Sequence, residues 1–425
     1  MATRKWSVLV SMALVLVCLG VVLRDDGLLA LSVPFVVYLV LAQIIVPKPN
    51  LDLSAERETA AGKIFEGGTI EIATRLSNRG DELGFLRVED TLPRGLKLAS
   101  GNNVGFAALP RGRGLQLHYK VTSNAPGSYS VGPIILSATD SFGLSTGVAV
   151  LEEPFQLDVL PKVEQRRSIP FRPRRTENWP GQVVSSRAGS GQDFYAVRQS
   201  VPSDPARIIN WKASARLDRL YSNQFMSELG ADAILVVDKS SASDFGAPPD
   251  SALTYVERCS AAISSGLLFA GNRVGMVIFG ERVYRINPGT GRRQLERILL
   301  SLVRARKGGA ENLGLLPEYL SLWFPRASSI IAVSSLANKH IVPPLARLGA
   351  RRDLQVVSPS FLGKLATEES ATSIGELALA LVKLQRWTAA ELVRKYADVI
   401  EWDVGVPIET VLERTLLGRN RMVAR

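Results

Sequence analysis

Ala231–Ser240 reads ADAILVVDKS, and its reading decides the fold. Ala233 to Val237 form an unbroken apolar run that ends in Asp238, with Ser240 two positions further on. A strand with one solvated face alternates polar and apolar residues. A continuous run fits a strand covered on both faces, as in a parallel sheet flanked by helices. Downstream, helices are predicted over Ser251–Ala270, Arg292–Arg304, Leu313–Trp323 and Ile374–Lys395. Strands are predicted over Val274–Phe279, Ser329–Val333, Leu354–Val357 and Val399–Trp402. This alternation is the α/β signature. A last amphipathic helix, Ile408–Leu417, leads into a tail with Arg419, Arg421 and Arg425. Ligands of such sheets bind beyond the carboxyl ends of the strands, where the strand order switches, so Asp238 and Ser240 stand at a natural site.

Just upstream, Gly189–Arg216 reads GSGQDFYAVRQSVPSDPARIINWKASAR. Its polar residues suit either a docking surface or a network that braces this segment against the sheet. Arginine favours the brace, because its planar fork bonds carboxylates bidentately. Arg198, Arg207 or Arg216 is expected to pair with Asp193 or Asp204. Trp211 is expected to bury its ring and give its N–H to an acceptor. Ser190, between two glycines, reads as a turn, and Arg219–Phe225 as an edge strand. Pro161–Ala188 is rich in Pro and Arg and lacks periodicity, so it reads as a linker or extended arm. Between Lys162 and Arg187, seven Lys/Arg face only Glu164 and Glu177.

From Asp52 to about Val163 the pattern is all-β. Thr69–Leu76 and Leu115–Val121 alternate with period two, and turn residues such as Asn78-Arg79-Gly80 and Pro126-Gly127 separate the runs. Many short strands at regular spacing predict a β-sandwich. His118 lies on one of these strands, as a surface or packing residue.

The first forty-odd residues hold two apolar runs, Trp6–Leu23 and Leu28–Val46, split by Arg24-Asp25-Asp26-Gly27. Each approaches the ~20 residues that cross ~30 Å of hydrocarbon as helix. No small-x-small cleavage site follows the first run, so a retained transmembrane hairpin is expected rather than a signal peptide. Arg4, Lys5 and Lys48 flank one side, against Arg24 beside two aspartates on the other. The positive-inside bias then puts both ends, and everything after residue 50, in the cytoplasm. Cys18 and Cys259 offer no plausible disulfide, in keeping with that side. The expected organisation is a transmembrane hairpin (1–50), a β-sandwich (51–163), a basic linker with the Gly189–Arg216 segment (164–230) and an α/β domain with a C-terminal helix (231–425).

The chain resembles the "domain of unknown function 58" family over nearly its whole length. The resemblance rests on Gly189, Gly191, Phe194, Arg198, Asp204, Arg207, Asn210, Trp211, Lys212, Ala213 and Ala215-Arg216, followed by the Asp238-x-Ser240 loop. It implies a von Willebrand factor A-like α/β domain behind a membrane hairpin and a β-sandwich. Such domains can hold Mg²⁺ through an Asp-x-Ser-x-Ser loop, a Thr in a second loop and an Asp in a third. Here Ala242 replaces the second serine, Ala310 stands where the Thr belongs, and Ser335 replaces the Asp. Affinity falls with ligand count and charge, so a degenerate site is expected at Asp238 and Ser240, with Ser241, Glu311 and Ser335 as the available helpers.

The net charge is +11, yet no aromatic stacking pattern or binding module accompanies it, which argues against nucleic acid. No Gly-x-Ser-x-Gly elbow, His-Glu-x-x-His or P-loop is present, and no small-molecule substrate suggests itself. Members of the resembled family are often linked to MoxR-type AAA+ ATPases. The resemblance therefore implies a non-enzymatic adaptor, docking a protein partner at an Asp238–Glu311–Ser335 face during assembly or remodelling of complexes. The rival readings are an extracytoplasmic metal-dependent adhesion module and an unrecognised metal-dependent hydrolase.

Overall fold

The computed structural model of the chain describes residues 3–45, 51–59, 62–140, 143–151, 154–163, 180–229, 232–309, 311–324, 328–361, 373–406 and 410–411. Two compact units emerge: residues 1–124 with 128–159, and residues 125–127 with 160–425.

The first unit opens with two helices, α1 (Arg4–Leu23) and α2 (Asp26–Ile45). Thr3 caps α1, its Oγ1 accepting from the Trp6 amide at 3.2 Å. The same residue ties the helix to a β-turn, its amide donating to Leu144 O at 3.0 Å and its hydroxyl to Gly143 O at 2.8 Å. By length and composition α1 can cross a membrane. The second apolar run is also helical, but its described apolar stretch, Asp26–Ala42, is shorter, and Pro34 lies within α2. Arg24 joins the helices in the left-handed region, at φ 52°.

Eleven strands follow: β1 (Leu53–Thr59), β2 (Lys63–Phe65), β3 (Thr69–Asn78), β4 (Leu83–Asp90), β5 (Lys97–Gly101), β6 (Val104–Leu109), β7 (Gly114–Thr122), β8 (Gly127–Val131), β9 (Ile134–Thr139), β10 (Thr146–Leu151) and β11 (Phe155–Leu160). They form sheets ordered β1-β3-β7-β5, β10-β9-β4-β6 and β2-β11-β8. The alternation read from Thr69–Leu76 holds in space, since Ile70, Ile72, Thr74 and Leu76 are buried between exposed or half-buried neighbours. Leu76 and Leu117 from one sheet meet Leu86, Val88 and Leu136 from another in one apolar core, so the region is β-sandwich-like. At its centre Asp90 accepts from Arg57 Nη2 (2.8 Å), Thr74 Oγ1 (3.1 Å) and Tyr119 Oη (2.7 Å).

In the second unit, β12 (Pro180–Gln199) pairs antiparallel with β13 (Tyr221–Leu229), and α3 (Trp211–Leu217) lies between them in sequence. This corrects two expectations. The arm read up to Ala188 is already strand from Pro180, while residues 164–179 lie outside the described residues. Ser190 lies within β12 rather than at a turn. Gly189 and Phe194 both pair with Phe225, so the residues between them form a bulge. Glycine serves a bulge as readily as a turn, because both need backbone freedom.

The α/β sheet runs β16-β15-β14-β17-β18-β19, built from β14 (Asp232–Asp238), β15 (Arg273–Phe279), β16 (Val283–Gly289), β17 (Ser329–Val333), β18 (Leu354–Ser360) and β19 (Asp398–Asp403). All its pairs are parallel except β15 with β16. Its helices are α4 (Ala252–Phe269), α5 (Gly291–Arg304), α6 (Leu316–Trp323), α7 (Val342–Gly349) and α8 (Ser373–Arg394). Ala233, Leu235 and Val237 face a core with α4 and α5. Ile234 and Val236 face a second core with α6, α7 and the end of α8. Two covered faces explain the unbroken apolar run.

The sequence reading passes over β16 and α7. The first is an edge strand paired on one side only, and the second has eight residues with Pro343 and Pro344 in its first turn. The helix expected from Leu313 begins as a 3-10 turn, Glu311–Leu315, and becomes α-helical only at Leu316, where Pro317 fits the first turn. The helix expected over Ile408–Leu417 lies outside the described residues, apart from 410–411.

Candidate functional site

Strand β14 carries Asp238 to the carboxyl edge of the sheet, beside the β14–β17 neighbourhood where the strand order reverses. Side chains alternate along a strand, so Asp238 and Lys239 turn to opposite faces. Lys239 points away from the candidate site and is buried. Its Nζ pairs with Glu257 at 2.5 Å and donates to Leu302 O and Ala305 O at 2.8 and 2.6 Å. That cation fastens α4 and the end of α5 to the sheet.

The Asp238 carboxylate is fully buried and accepts from three donors. Oδ1 takes the Ser240 amide at 3.0 Å, and Oδ2 takes the hydroxyls of Ser243 at 2.5 Å and Ser334 at 2.7 Å. Asn338 Nδ2 donates to Ser240 Oγ at 3.1 Å, and Ser240 Oγ donates to Ser243 Oγ at 2.9 Å. The chain of donors from Asn338 through Ser240 and Ser243 therefore runs toward the carboxylate. Each bond polarises the next in a medium of low dielectric. Ser334 follows β17, so its bond staples the strand ends on both sides of the order reversal. Among the described residues no Lys, Arg or His pairs with Asp238.

Ser240 joins this hydrogen-bond network, while the expected helper residues are placed differently. Ser241 is exposed at the head of a 3-10 turn, Ser241–Ser243, and that turn delivers Ser243 to the carboxylate instead. Ser335 donates to Ser243 O at 2.8 Å, and its neighbour Ser334 reaches Asp238. Ala310 and the Glu311 side chain lie outside the described residues. Gly308 bridges to Ser240 in parallel register, and a Cβ on it would meet the Glu281 backbone at 2.2 Å. The second loop is therefore packed backbone to backbone against its neighbour.

Leu336 closes the third loop at φ 55° while buried, held by its amide on Ser334 Oγ at 3.1 Å. A leucine in the left-handed region costs on the order of 1–3 kcal/mol and persists only where its surroundings enforce it. The sequence reading missed Ser243, Ser334 and Asn338. The signal available was the density of hydroxyls in Ser240-Ser241-Ala242-Ser243 and Ser334-Ser335.

The donor set was tested against Mg²⁺, which asks for near-octahedral oxygen coordination. The three donors occupy the one carboxylate, the Ser243 hydroxyl among them, and the Ser240 hydroxyl is spent on Ser243 Oγ. No group of three His, Cys, Asp or Glu residues occurs among the described residues. In this arrangement the residues present do not fit the ion.

The Gly189–Arg216 segment divides into a brace and an exposed face. Arg198 holds Asp204 in a two-pronged bond, Nη1 to Oδ2 at 2.8 Å and Nη2 to Oδ1 at 2.6 Å. The Val201 amide and Ser222 hydroxyl add donors to Asp204 at 3.0 and 2.9 Å. The Arg198 bond, and after it the Val201 amide, hold the Asp204 carboxyl well below the usual carboxylate range. Asn210 caps α3 through Ala213 N at 2.9 Å and bonds Asn223 Oδ1 through Nδ2 at 2.8 Å. Arg198, Asp204 and Asn210 thus form the expected brace, tied into β13. Asp193 has no described side chain.

Trp211 departs from expectation, since it is 64% exposed rather than buried. Arg207, Lys212 and Arg216 are exposed as well, and so are Leu217 and Leu220. Residue type alone predicted burial for the indole, and nothing local in the sequence signals that this side of α3 is uncovered.

An N-terminal apolar helix, a β-sandwich-like region and a mixed α/β region with a parallel sheet define the class of protein. Residues 196–360 match the family model described as "Protein of unknown function DUF58", which supports the resemblance of this part of the chain to that family. No curated protein matches the chain. Among solved structures, the cupredoxin domain of amoB from Nitrosocaldus yellowstonii is similar at 11% identity and TM-score 0.20, covering 27% of this chain and 90% of that one. A FixG-related protein from Vibrio parahaemolyticus is similar at 9% identity and TM-score 0.18, covering 25% of this chain and 95% of that one. Likeness at that level says nothing of function.

Proposed function

We propose that this chain is a membrane-anchored adaptor whose α/β unit, of von Willebrand A-like build, docks a protein partner of the MoxR-type AAA+ class. The observation that carries the reading is the exposed face of the signature segment. Trp211, Leu217 and Leu220 lie open on and beside a short helix that also bears Lys212 and Arg216. Tryptophan and arginine are enriched at interfaces and at their energetic hot spots. The Arg198–Asp204 fork and the Asn210 cap hold this face in place, so little ordering cost remains at docking. The von Willebrand A-like reading draws on the sheet order β16-β15-β14-β17-β18-β19, with its single antiparallel pair.

The docking face proposed here leaves out Asp238 and Ser335. Both are fully buried and could meet a partner only if the loops opened. The anchor is the hairpin α1–α2 read as two spans, with the soluble units on the cytoplasmic side. Arg4, Lys5 and Lys48 support that orientation.

The test is affinity capture of the full-length protein from crosslinked membranes, with the wild type beside Trp211→Ala. The wild type should recover an AAA+ ATPase. The variant should lose about tenfold or more of it, since a hot-spot truncation costs ~2 kcal/mol or more. Its unfolding midpoint should stay put, as surface substitutions usually fall within about 0.5 kcal/mol. Equal recovery by the two proteins, or no ATPase with either, would end the proposal.

A further inference from the structure

Beyond the carboxyl ends of β18 and β19, against α8, lies a cavity of about 290 Å³ whose lining includes Ser358, Ser360, Lys383, Arg386, Trp387 and Glu401. Arg386 sits within α8 at only 7% exposure. Its Nε donates to Ser335 O at 2.8 Å, and its Nη2 donates to Ser358 Oγ at 3.1 Å and Pro359 O at 2.7 Å. Those bonds use Nε and both hydrogens of Nη2. Nη1 makes no hydrogen bond among the described residues, although Arg386 lines the cavity. Among the described residues no carboxylate lies at ion-pair distance from this guanidinium. Burial is the larger influence on this guanidinium and pulls its pKa down, while Glu401, acting through space, pushes it up.

A guanidinium stays charged in a protein, and a buried charge without a counter-charge is costly. Lys383 stands three residues earlier on α8, at the spacing that puts two side chains on one helix face. Ser358 and Ser360 are two apart on β18, so both turn to the same face of the sheet. Glu401 is the one acid among the described lining residues, and Arg394 Nη2 already engages it at 2.5 Å. Two cations therefore remain, with two hydroxyls and the indole of Trp387 as a wall.

We propose that this cavity is an oxyanion site, in which a phosphate or carboxylate group sits between Arg386 Nη1 and Lys383. The hydroxyl of Ser360 completes the seat. Arg386 also grips the Ser335 carbonyl, and Ser335 Oγ bonds Ser243 O, so an anion here presses on the loop that closes the Asp238 cage. The site needs no protein partner and stands or falls apart from the docking proposal.

The test is calorimetric titration of the purified full-length protein in detergent at constant ionic strength, with inorganic phosphate in one arm and acetate in the other. Saturable binding of either anion is expected. Phosphate alone would mark a tetrahedral ligand, acetate alone a carboxylate, and each result supports the site. Lys383→Gln, at an exposed position, should keep the fold and weaken binding about tenfold, a loss of ~1.4 kcal/mol. Ser360→Ala should weaken it less. Two outcomes would overturn the site: neither anion binding saturably, or binding unchanged in both variants.

Discussion

Two buried aspartates carry opposite lessons. Asp90, in the β-sandwich-like unit, is fully buried, and the side chain of its partner Arg57 is nearly so, with Nη2 meeting Oδ1 at 2.8 Å and Nε meeting Oδ2 at 3.3 Å. Asp238, in the α/β unit, is equally buried, yet among the described residues hydroxyls and one amide hold it, with no cation. The first network is electrically closed and reads as structure. Tyr119 belongs to it, its phenol pKa pushed up by burial and then by Asp90. The second is satisfied in hydrogen bonds but not in charge, and it lies at the order reversal of the sheet. Burial alone does not tell these two carboxylates apart. The accounting of charge does.

The sharpest way to break the comparison is Arg57→Ala. It leaves Asp90 buried and uncompensated, so a loss of about 3–5 kcal/mol is expected from denaturant melts of the purified protein. A loss below ~1 kcal/mol would mean that the hydroxyls of Thr74 and Tyr119 suffice, and the contrast would collapse. Asp238→Asn should cost less, about 1–2 kcal/mol. It weakens charge-assisted bonds from Ser243 and Ser334 but orphans no cation. Adding Mg²⁺ to the wild type should leave its midpoint unchanged. A midpoint that climbs with metal concentration would show that the cage opens to admit the ion.

The smallest effect concerns Asp204, a partly exposed carboxylate that shares Asp90's possession of a guanidinium. Its folded-state pKa lies below the ordinary value of ~4, so its stabilising contribution is full above that pH and fades as the pH falls below it. Asp204→Asn should flatten the acid side of the stability curve between about pH 4 and pH 2. An unchanged acid limb would mean that the fork with Arg198 is decorative.

Much of the α/β frame was legible because its signals are local. Ser329–Val333 is strand over the range its apolar run predicts, and Ser251 caps α4 ahead of the periodic helix. The Asp238 loop was legible by motif, since an apolar strand ending in Asp-x-Ser marks the carboxyl edge. Its true neighbours were not. Ser334 lies 96 residues away in the chain and Asn338 98 residues from Ser240, and only the sheet order brings them together. Arg386 was hidden for the same reason, as one arginine on a helix whose burial depends on the strands beneath it. Trp211 erred in the other direction. Its size argued for burial, whereas exposure is a property of what fails to cover it.

One small tie at the start of the chain fastens the first helix to the sandwich a second time. Thr3 grips the Gly143 and Leu144 carbonyls of a sandwich turn, while the covalent thread after α2 reaches the same body at β1. A body hung by one thread turns like a ball in a socket. A second mounting takes away part of that freedom, so two attachments rather than one set the sandwich turn against the first helix.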